Sequence, residues 1–317
     1  MTAVTGRTRL IRPACITDGR LVLLTGHSLG GNVMSVSTGS MTAPITARRL
    51  IGRDAGFAAR ALDAGAIVAH AFANFYAITT RADESTVRRV NLMKGRPPSQ
   101  AGSITAPPSA IRDAWDFGEL PTGLTRRRIL QLVDAFFTLG PFGFRGPAAG
   151  HIPAHLTMAD GPIITTQVIA PGYACASRDF LATALRVTGD EFLYITSANR
   201  SRHVTGAADS PAHWQAAGLR AEFGDEPGLL LVEHEDEAAA RARYPRYLPM
   251  STTILGFHRV EHVTGDRRPQ LVLERQGSLP LDDVRAVLDD FGFGLVFGPR
   301  ARHRPTVRDY SQRLADR

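Results

Sequence analysis

Lysine is almost absent from this chain of 317 residues, and its single lysine stands at position 94. The chain carries 37 Lys plus Arg, so the other 36 of these cations are arginine. A compact ammonium on a flexible stem meets a phosphate or carboxylate as a point charge, whereas a guanidinium is a planar fork. The scarcity therefore singles out Lys94 as a candidate anion ligand. The alternative is the chance survival of one surface lysine.

Cysteine and long apolar runs are also scarce. The two cysteines, Cys15 and Cys175, lie far apart and form no Cys-x-x-Cys pattern. This spacing fits reduced thiols better than a disulfide framework or a zinc site. No apolar run approaches the roughly 18 residues of a membrane span, and no secretory signal is recognisable near the N-terminus. We therefore expect a cytoplasmic protein with no membrane partner.

The charge balance favours anionic partners. The formal net charge is +7, while 44% hydrophobic and 21% charged residues are typical of a globular protein with a large core. Such a positive balance suits nucleotides or RNA without choosing between them. The alternative is that arginine is enriched only as a feature of composition.

Helical and strand patterns alternate along most of the chain, without internal repeats. This alternation predicts an α/β or α+β fold with one continuous core. We expect an N-terminal extension over 1–52, one main domain over 53–299 and a mobile basic tail over 300–317. Segments 97–124 and 146–159 are predicted to be irregular. Helices are predicted over 54–64, 83–94, 125–139, 178–188, 236–244 and 281–291, and strands over 66–69, 163–169, 192–195, 229–232, 252–257 and 270–274.

Two local patterns suggest other chemistry. The run 26–31, Gly-His-Ser-Leu-Gly-Gly, has the form of the nucleophile elbow of a serine hydrolase. An elbow needs flanking strands and an oxyanion-hole loop ahead of it, so the 25 preceding residues disfavour this hypothesis. The histidine pairs 151/155 and 258/262 are poorly placed to share a metal, because one spans a proline and the other lies on a strand pattern. We therefore predict no metal site.

Three other segments are suited to an anionic ligand. Lys94 and Arg96 stand at the end of a predicted helix. The run 196–201, Thr-Ser-Ala-Asn-Arg-Ser, is a strand that enters a polar turn, where small hydroxyls and backbone N–H groups can approach phosphate. Further along, the hydroxyls of 251–253 and an arginine beside a glycine at 275–277 repeat this chemistry.

The order of these segments resembles the threonylcarbamoyl-adenylate synthase family, which is built on a YrdC-like domain. The family's helix-and-strand run G-G-x-V-A-F-P-T-E-T-V-Y-G-L is similar to 65–78, and its K-x-R-P helix end to 94–97. Its S-A-N-x-S-G turn is similar to 197–202, and its S-T strand and R-x-G turn to 251–252 and 275–277. The resemblance covers about residues 53–290.

This resemblance implies a fold and a reaction. The fold would be a single YrdC-like domain, a twisted mixed sheet with helices and a concave basic face. The enzyme would be a nucleotidyltransferase that joins ATP, bicarbonate and an amino acid into a carbamoyl-adenylate, as in tRNA modification. Mg²⁺ would accompany the phosphates, with no dedicated carboxylate ligands.

The resemblance also implies roles for individual residues. Lys94 and Arg96 would be catalytic, holding the triphosphate and the carbamate. The full nucleotide set would be Lys94, Arg96, Ser197, Asn199, Thr205, Ser251 and Arg275. The amino-acid pocket would be formed by Phe72, Asn74, Tyr76, Thr105, Thr196 and Thr252.

Several departures fall in the amino-acid half of this pattern. The P-T-E-T segment reads Ala-Phe-Ala-Asn at 71–74, Arg202 replaces a glycine, and Thr105 replaces a histidine. An arginine expected near 169–171 is missing. Losing hydroxyl partners changes substrate preference by on the order of 10⁴-fold, so the amine is left open between threonine and another amine, which would explain the lost hydroxyls. The alternative is a non-catalytic protein that binds double-stranded RNA or nucleotide. The oligomeric state stays open.

Overall fold

The computed structural model describes residues 52–201 and 211–311, together with the short strands at 15–17, 20–22 and 46–47. The predicted nucleophile elbow at 26–31, most of the predicted extension and Thr205 lie outside these residues. None of the helices in the described ranges has the length and apolar character that crossing a bilayer requires.

The helices start and end close to the predicted positions because their caps are encoded locally. The Asp83 side chain accepts a hydrogen bond from the Thr86 N–H (2.9 Å) and starts α2, and Gly95, at φ 72°, follows its end. The α-helices of the described residues are α1 (Gly52–Asp63), α2 (Glu84–Met93), α3 (Arg126–Leu139), α4 (Ser177–Thr188), α5 (Ala216–Phe223), α6 (Glu237–Arg243) and α7 (Leu281–Asp290).

Twelve strands of the described residues form one mixed sheet, and β1 and β2 form a separate pair. The strands are β1 (Cys15–Thr17), β2 (Arg20–Val22), β3 (Thr46–Ala47), β4 (Ile67–Phe72), β5 (Phe75–Arg81), β6 (Ser103–Thr105), β7 (Phe142–Pro147), β8 (Thr157–Asp160), β9 (Ile163–Ala170), β10 (Leu193–Ser197), β11 (Leu229–Val232), β12 (Ile254–Val263), β13 (Asp266–Arg275) and β14 (Gly294–Phe297). Their order is β14-β13-β12-β7-β9-β6-β10-β5-β4-β11-β3, with β8 paired to β9. The predicted mixed α/β class is confirmed.

Strand alternation separates two apolar clusters on this sheet. On β9, Val168 and Ala170 belong to the main core, whereas Ile169 belongs to a smaller cluster. On β12, Leu255 and Ile254 divide in the same way. Successive side chains of a strand point to opposite faces. The smaller cluster therefore lies on the face turned away from the main core, and it forms the floor of the candidate site.

Some elements differ from the sequence-based expectations. The segment 97–124, predicted to be a loop, contains β6 and two turns of 3₁₀-helix, and 146–159 contains the end of β7 and most of β8. Glycine-rich β7 is held by pairing with β9 and β12, which its own sequence does not reveal.

Candidate active site

A cavity of about 620 Å³ lies over the smaller apolar cluster, a size typical of small-molecule sites. Of the residues that the structure describes, four arginines line it, Arg96, Arg145, Arg275 and Arg300, against one acidic residue, Glu274. This excess of guanidinium groups around a concave site attracts an anionic ligand.

The first two predicted anion-binding segments meet at the cavity. Lys94 is fully buried, and its Nζ donates a hydrogen bond to the carbonyl oxygen of Ser197. Arg96 Nη1 donates to Thr196 Oγ1 at 2.9 Å. The N–H of Ser201 returns a bond to the Lys94 carbonyl at 2.7 Å. The end of α2 and the end of β10 are thus fastened together, and Arg96, Thr196 and Ser197 line the cavity.

The turn after β10 is ordered by its own polar groups. Ser197 Oγ donates to Asn199 Oδ1 at 2.5 Å, and Asn199 is itself almost fully buried. Arg200 donates to the Met93 carbonyl at 2.7 Å and pairs with Glu226 at 2.6 Å. A cation at a helix C-terminus also interacts favourably with the helix dipole. These contacts fix the position of the Ser197 hydroxyl before any ligand binds.

Gly95 permits this close approach. Its φ is 72°, and a Cβ added there would lie 3.2 Å from the carbonyl oxygen of Ser201. We expect Gly95→Ala to lower the free energy of unfolding by more than the about 1–2 kcal/mol that left-handed backbone alone costs. Gly265→Ala is the matched control, because Gly265 has φ 90° with open space around its Cβ position. Urea titration of both variants checks the difference, and equal losses would contradict the close contact.

The third predicted segment joins the same cavity from β13. Arg275 Nε donates to the Thr252 carbonyl at 2.9 Å, and its Nη2 donates to Thr252 Oγ1 at 3.1 Å. Ser251, Thr252 and Arg275 all line the cavity. The three segments chosen from the sequence therefore converge on one site.

Other predicted site residues are placed differently. Phe72 lines the cavity, but Asn74, Tyr76, Thr105, Lys94 and Asn199 are not among its lining residues. The Asn74 amide donates to the Tyr247 carbonyl at 2.9 Å, and the Tyr76 hydroxyl donates to Glu237 at 3.1 Å. Thr105 is fully buried. The pocket role predicted for Asn74, Tyr76 and Thr105 is not supported by this placement.

Sequence reasoning missed a group of ionisable residues at the cavity wall. Arg145 lines the cavity beside Glu274, with Nη1 3.6 Å from the carboxylate. Behind them, His258 Nε2 lies 2.7 Å from Asp160 Oδ2, and Arg259 Nη1 lies 2.9 Å from the same atom. The only sequence signal for Arg145 is that it is the one charged residue of the run Phe-Gly-Phe-Arg at 142–145, which lies between the predicted elements.

This group does not fit a resident metal ion. Ligand atoms of Asp160, His258 and Glu274 lie within 4.8 Å of one another. Arg145 and Arg259, however, already balance the two carboxylates at 2.9–3.8 Å. A divalent cation would have to displace both guanidinium groups or bind against their charge. His258 thus lies in an ion-paired carboxylate cluster, and the absence of metal ligands stays a prediction.

The segment predicted as a mobile tail packs on the domain as far as Ser311. The Trp214 indole donates to the Arg308 carbonyl at 2.8 Å, and the Tyr310 hydroxyl lies 2.7 Å from His213 Nδ1. Arg300 and Pro305 line the cavity. This segment is therefore part of the cavity wall.

Acid is expected to loosen this segment. Burial raises the pKa of Glu222, but hydrogen bonds from His213 and the Arg200 N–H, with the charge of Arg308, outweigh it and lower the pKa from 4.5 to about 2. The resulting stabilisation is fully present above pH 4.5 and is lost as the pH falls toward 2. Between pH 5 and 2, the free energy of unfolding should fall less steeply with decreasing pH for Glu222→Gln than for wild type. Exposed Glu261→Gln is the control, and equal slopes for Glu222→Gln and wild type would contradict the contact.

Comparison with known proteins defines the class of fold. No family model and no curated protein matches the sequence. Among solved structures, the chain is similar to Pyrococcus abyssi Sua5 complexed with L-threonine (TM-score 0.53, 18% identity, 83% of this chain and 67% of that one). It is also similar to the hypothetical protein smu.1377c of Streptococcus mutans UA159 (TM-score 0.57, 16% identity, 82% of this chain and 100% of that one). Escherichia coli YciO is a further match (TM-score 0.50, 13% identity, 75% of this chain and 96% of that one).

The described domain therefore has the fold of Sua5 and YciO, and the predicted YrdC-like architecture is confirmed. The chain spans about two thirds of the length of Sua5.

Proposed function

We propose that this protein is a nucleotidyltransferase that forms a carbamoyl-adenylate from ATP, bicarbonate and an amine other than threonine. The observation that carries the proposal is the convergence of three anion-binding segments on one cavity with four arginines. The fold adds support, because the P. abyssi Sua5 structure holds L-threonine.

The chemistry needs neutralised charge and correct placement rather than a covalent intermediate on the protein. The amine nitrogen, after losing a proton to solvent, attacks the carbon of bicarbonate, and water leaves as the carbamate forms. A carbamate oxygen then attacks the α-phosphorus of ATP. The bond between the α-phosphorus and its bridging oxygen breaks, and pyrophosphate leaves. Mg²⁺ arrives with ATP as part of the substrate.

The residues around the cavity would divide this work. Arg96 and Arg275 would bind the phosphates and the developing charge of the transition state, which charge-assisted hydrogen bonds favour. Ser251 would donate its hydroxyl group to the nucleotide, whereas the Ser197 hydroxyl, whose proton goes to Asn199 Oδ1, would accept a hydrogen bond from a nucleotide hydroxyl. Lys94, buried beneath the turn, would act through Ser197 as a positioning residue. Preorganised donors of this kind cost little reorganisation during the reaction.

The amino-acid half of the site argues for an altered amine. The segment that corresponds to P-T-E-T forms the hairpin between β4 and β5, in which Ala73 has φ 55° and Asn74 bonds the Tyr247 carbonyl. Phe72 presents a ring to the cavity where the family pattern has a small residue. No hydroxyl from this hairpin is available to hold a threonine side chain.

Pyrophosphate release tests the proposal. The protein is incubated with ATP, magnesium and bicarbonate, and each amino acid is added in turn. We expect pyrophosphate release that requires both bicarbonate and an amine. Another amino acid should support faster release than threonine does. Release that is independent of bicarbonate would contradict carbamate formation.

A second candidate function is the binding of double-stranded RNA or nucleotide without turnover. The net charge of +7 and the arginines of the cavity favour it. Filter retention of RNA at 50 and 200 mM salt would distinguish the two, because phosphate contacts weaken steeply with salt. Salt-sensitive retention together with no pyrophosphate release would favour this candidate.

A further inference from the structure

A row of polar side chains crosses the cavity floor beside the predicted anion-binding turns. Arg145 on β7 lies opposite Gln167 on β9 in the antiparallel register. Gln167 Nε2 in turn donates to Ser103 Oγ on β6 at 2.6 Å. All three residues line the cavity. Neither the sequence motifs nor the proposed nucleotide contacts use any of them.

Arg145 is held firmly but retains donors. The residue is 9% exposed. Its Nε donates to Thr165 Oγ1 at 2.9 Å, the one side-chain hydrogen bond that its guanidinium makes among the described residues. Its Nη1 lies 3.6 Å from Glu274 and 3.8 Å from Asp160, beyond the usual hydrogen-bond distance. The two carboxylates balance the charge of Arg145 without accepting hydrogen bonds from its Nη groups. A ligand in the cavity can therefore accept hydrogen bonds from these groups.

Glu274 supplies the opposite charge beside Arg145. It is 8% exposed and lines the same cavity. Its nearest cations, Arg145 and Arg259, both lie 3.6 Å away. Gly256 makes room for it, because a Cβ on Gly256 would lie 3.0 Å from Glu274 Oε1. The wall thus presents a positive and a negative group side by side.

The next row of the sheet is apolar. Register places Ile169, Gly143 and Ile254 side by side, and Ile254 pairs with Arg275. This row lies two residues, about 7 Å, along the strands from Arg145. Ile169 and Ile254 line the cavity, and Gly143 leaves the space between them because a Cβ there would lie 2.8 Å from Ile254 Cγ1.

We infer that Arg145 and Glu274 bind the carboxylate and the ammonium of an α-amino acid whose side chain is apolar and lies on Ile169 and Ile254. This inference rests on the proposed function and names its amine. The two charged groups of an α-amino acid are joined through one carbon, so they match adjacent opposite charges. A ligand that lacks either group forms only one of these two contacts with the wall and therefore should bind more weakly.

Equilibrium dialysis of the wild-type protein tests the inference without ATP. The probes are L-leucine, isoamylamine, which lacks the carboxylate, 4-methylpentanoate, which lacks the ammonium, and L-threonine. We expect L-leucine to bind at least tenfold more tightly than each of the other three. Equal binding of L-leucine and either truncated analogue would overturn the inference, and so would preference for L-threonine.

Variants then assign the binding to the two residues. Arg145→Gln and Glu274→Gln should each weaken L-leucine binding at least tenfold while the affinity for a non-hydrolysable ATP analogue stays within twofold. Arg259→Gln is the matched control, because Arg259 contacts the same carboxylates without lining the cavity. An equal loss of L-leucine binding in Arg259→Gln would attribute the effect to the cluster's stability and overturn the assignment.

The two proposals fail in different ways. If L-leucine binds as expected but no pyrophosphate is released from ATP and bicarbonate, the amine site stands and the proposed reaction is wrong. If pyrophosphate is released with another amine while L-leucine does not bind, the reaction stands and the inferred amine site is wrong.

Discussion

Replacement of Lys94 by arginine is expected to slow pyrophosphate release on the order of 100-fold, although it keeps the positive charge. Lys94 is fully buried, and its Nζ holds the carbonyl of Ser197. A larger planar guanidinium overpacks the space, at about 1–3 kcal/mol. A hydrogen bond to a charged group contributes about 1.5–3 kcal/mol. If the displaced Ser197 raises the activation free energy by about 2.7 kcal/mol, turnover falls on the order of 100-fold.

The control for this variant is the reverse exchange on the same helix. Arg88 is exposed on α2, so Arg88→Lys should leave turnover and melting temperature unchanged. Pyrophosphate release and thermal melting of both variants check the prediction. Normal turnover by Lys94→Arg would show that the single lysine is an accident of composition.

Removal of the Arg275 side chain is expected to weaken ATP binding by about 10- to 100-fold. The Arg275 guanidinium lines the cavity and is oriented by two bonds to Thr252. A charge-assisted hydrogen bond to phosphate is worth about 1.5–3 kcal/mol, which sets this range. Arg275→Lys should recover little, because an ammonium cannot reproduce the fork that Thr252 holds.

Arg267 provides the matched control for Arg275. It lies on the same strand, β13, and is exposed. Calorimetric titration with a non-hydrolysable ATP analogue should give wild-type affinity for Arg267→Ala and a large loss for Arg275→Ala. An equal, small loss in both variants would indicate that only general charge matters.

The lone lysine illustrates what a sequence can and cannot establish. Its position at a helix end beside Arg96 was correct, because the cap and the terminating Gly95 are local signals. Its environment was not predictable, because the contact with Ser197 spans 103 residues and depends on the pairing of distant strands. Lys94 is fully buried and is not among the residues that line the cavity, so its direct contact with a ligand stays a prediction.

The amino-acid half of the site shows a second limit. The family resemblance selected Tyr76, but Phe75 and Ala77 line the cavity on either side of it. Strand alternation turns Tyr76 to the opposite face, where Glu237 accepts its hydroxyl. A resemblance in register therefore identifies the strand, whereas strand alternation decides which of its side chains line the cavity.

Arg145 and Glu274 could not be predicted to be neighbours. Arg145 is the single charged residue of the short strand β7, Glu274 lies near the end of the longer strand β13, and the register of β7, β12 and β13 brings them together. That register depends on bulges and on glycines that leave space for side chains from other strands. Such features are set by tertiary packing, which local patterns do not encode.

Mass spectrometry with ¹³C-bicarbonate tests the central claim most directly. The wild-type protein is incubated with ATP, magnesium, ¹³C-bicarbonate and a mixture of amino acids, and the nucleotide products are analysed. We predict an adenylate that carries one ¹³C atom from bicarbonate and one amine, with an apolar side chain, and that disappears in Arg275→Ala. An adenylate without the label, or no adenylate while RNA is retained on the protein, would contradict the account.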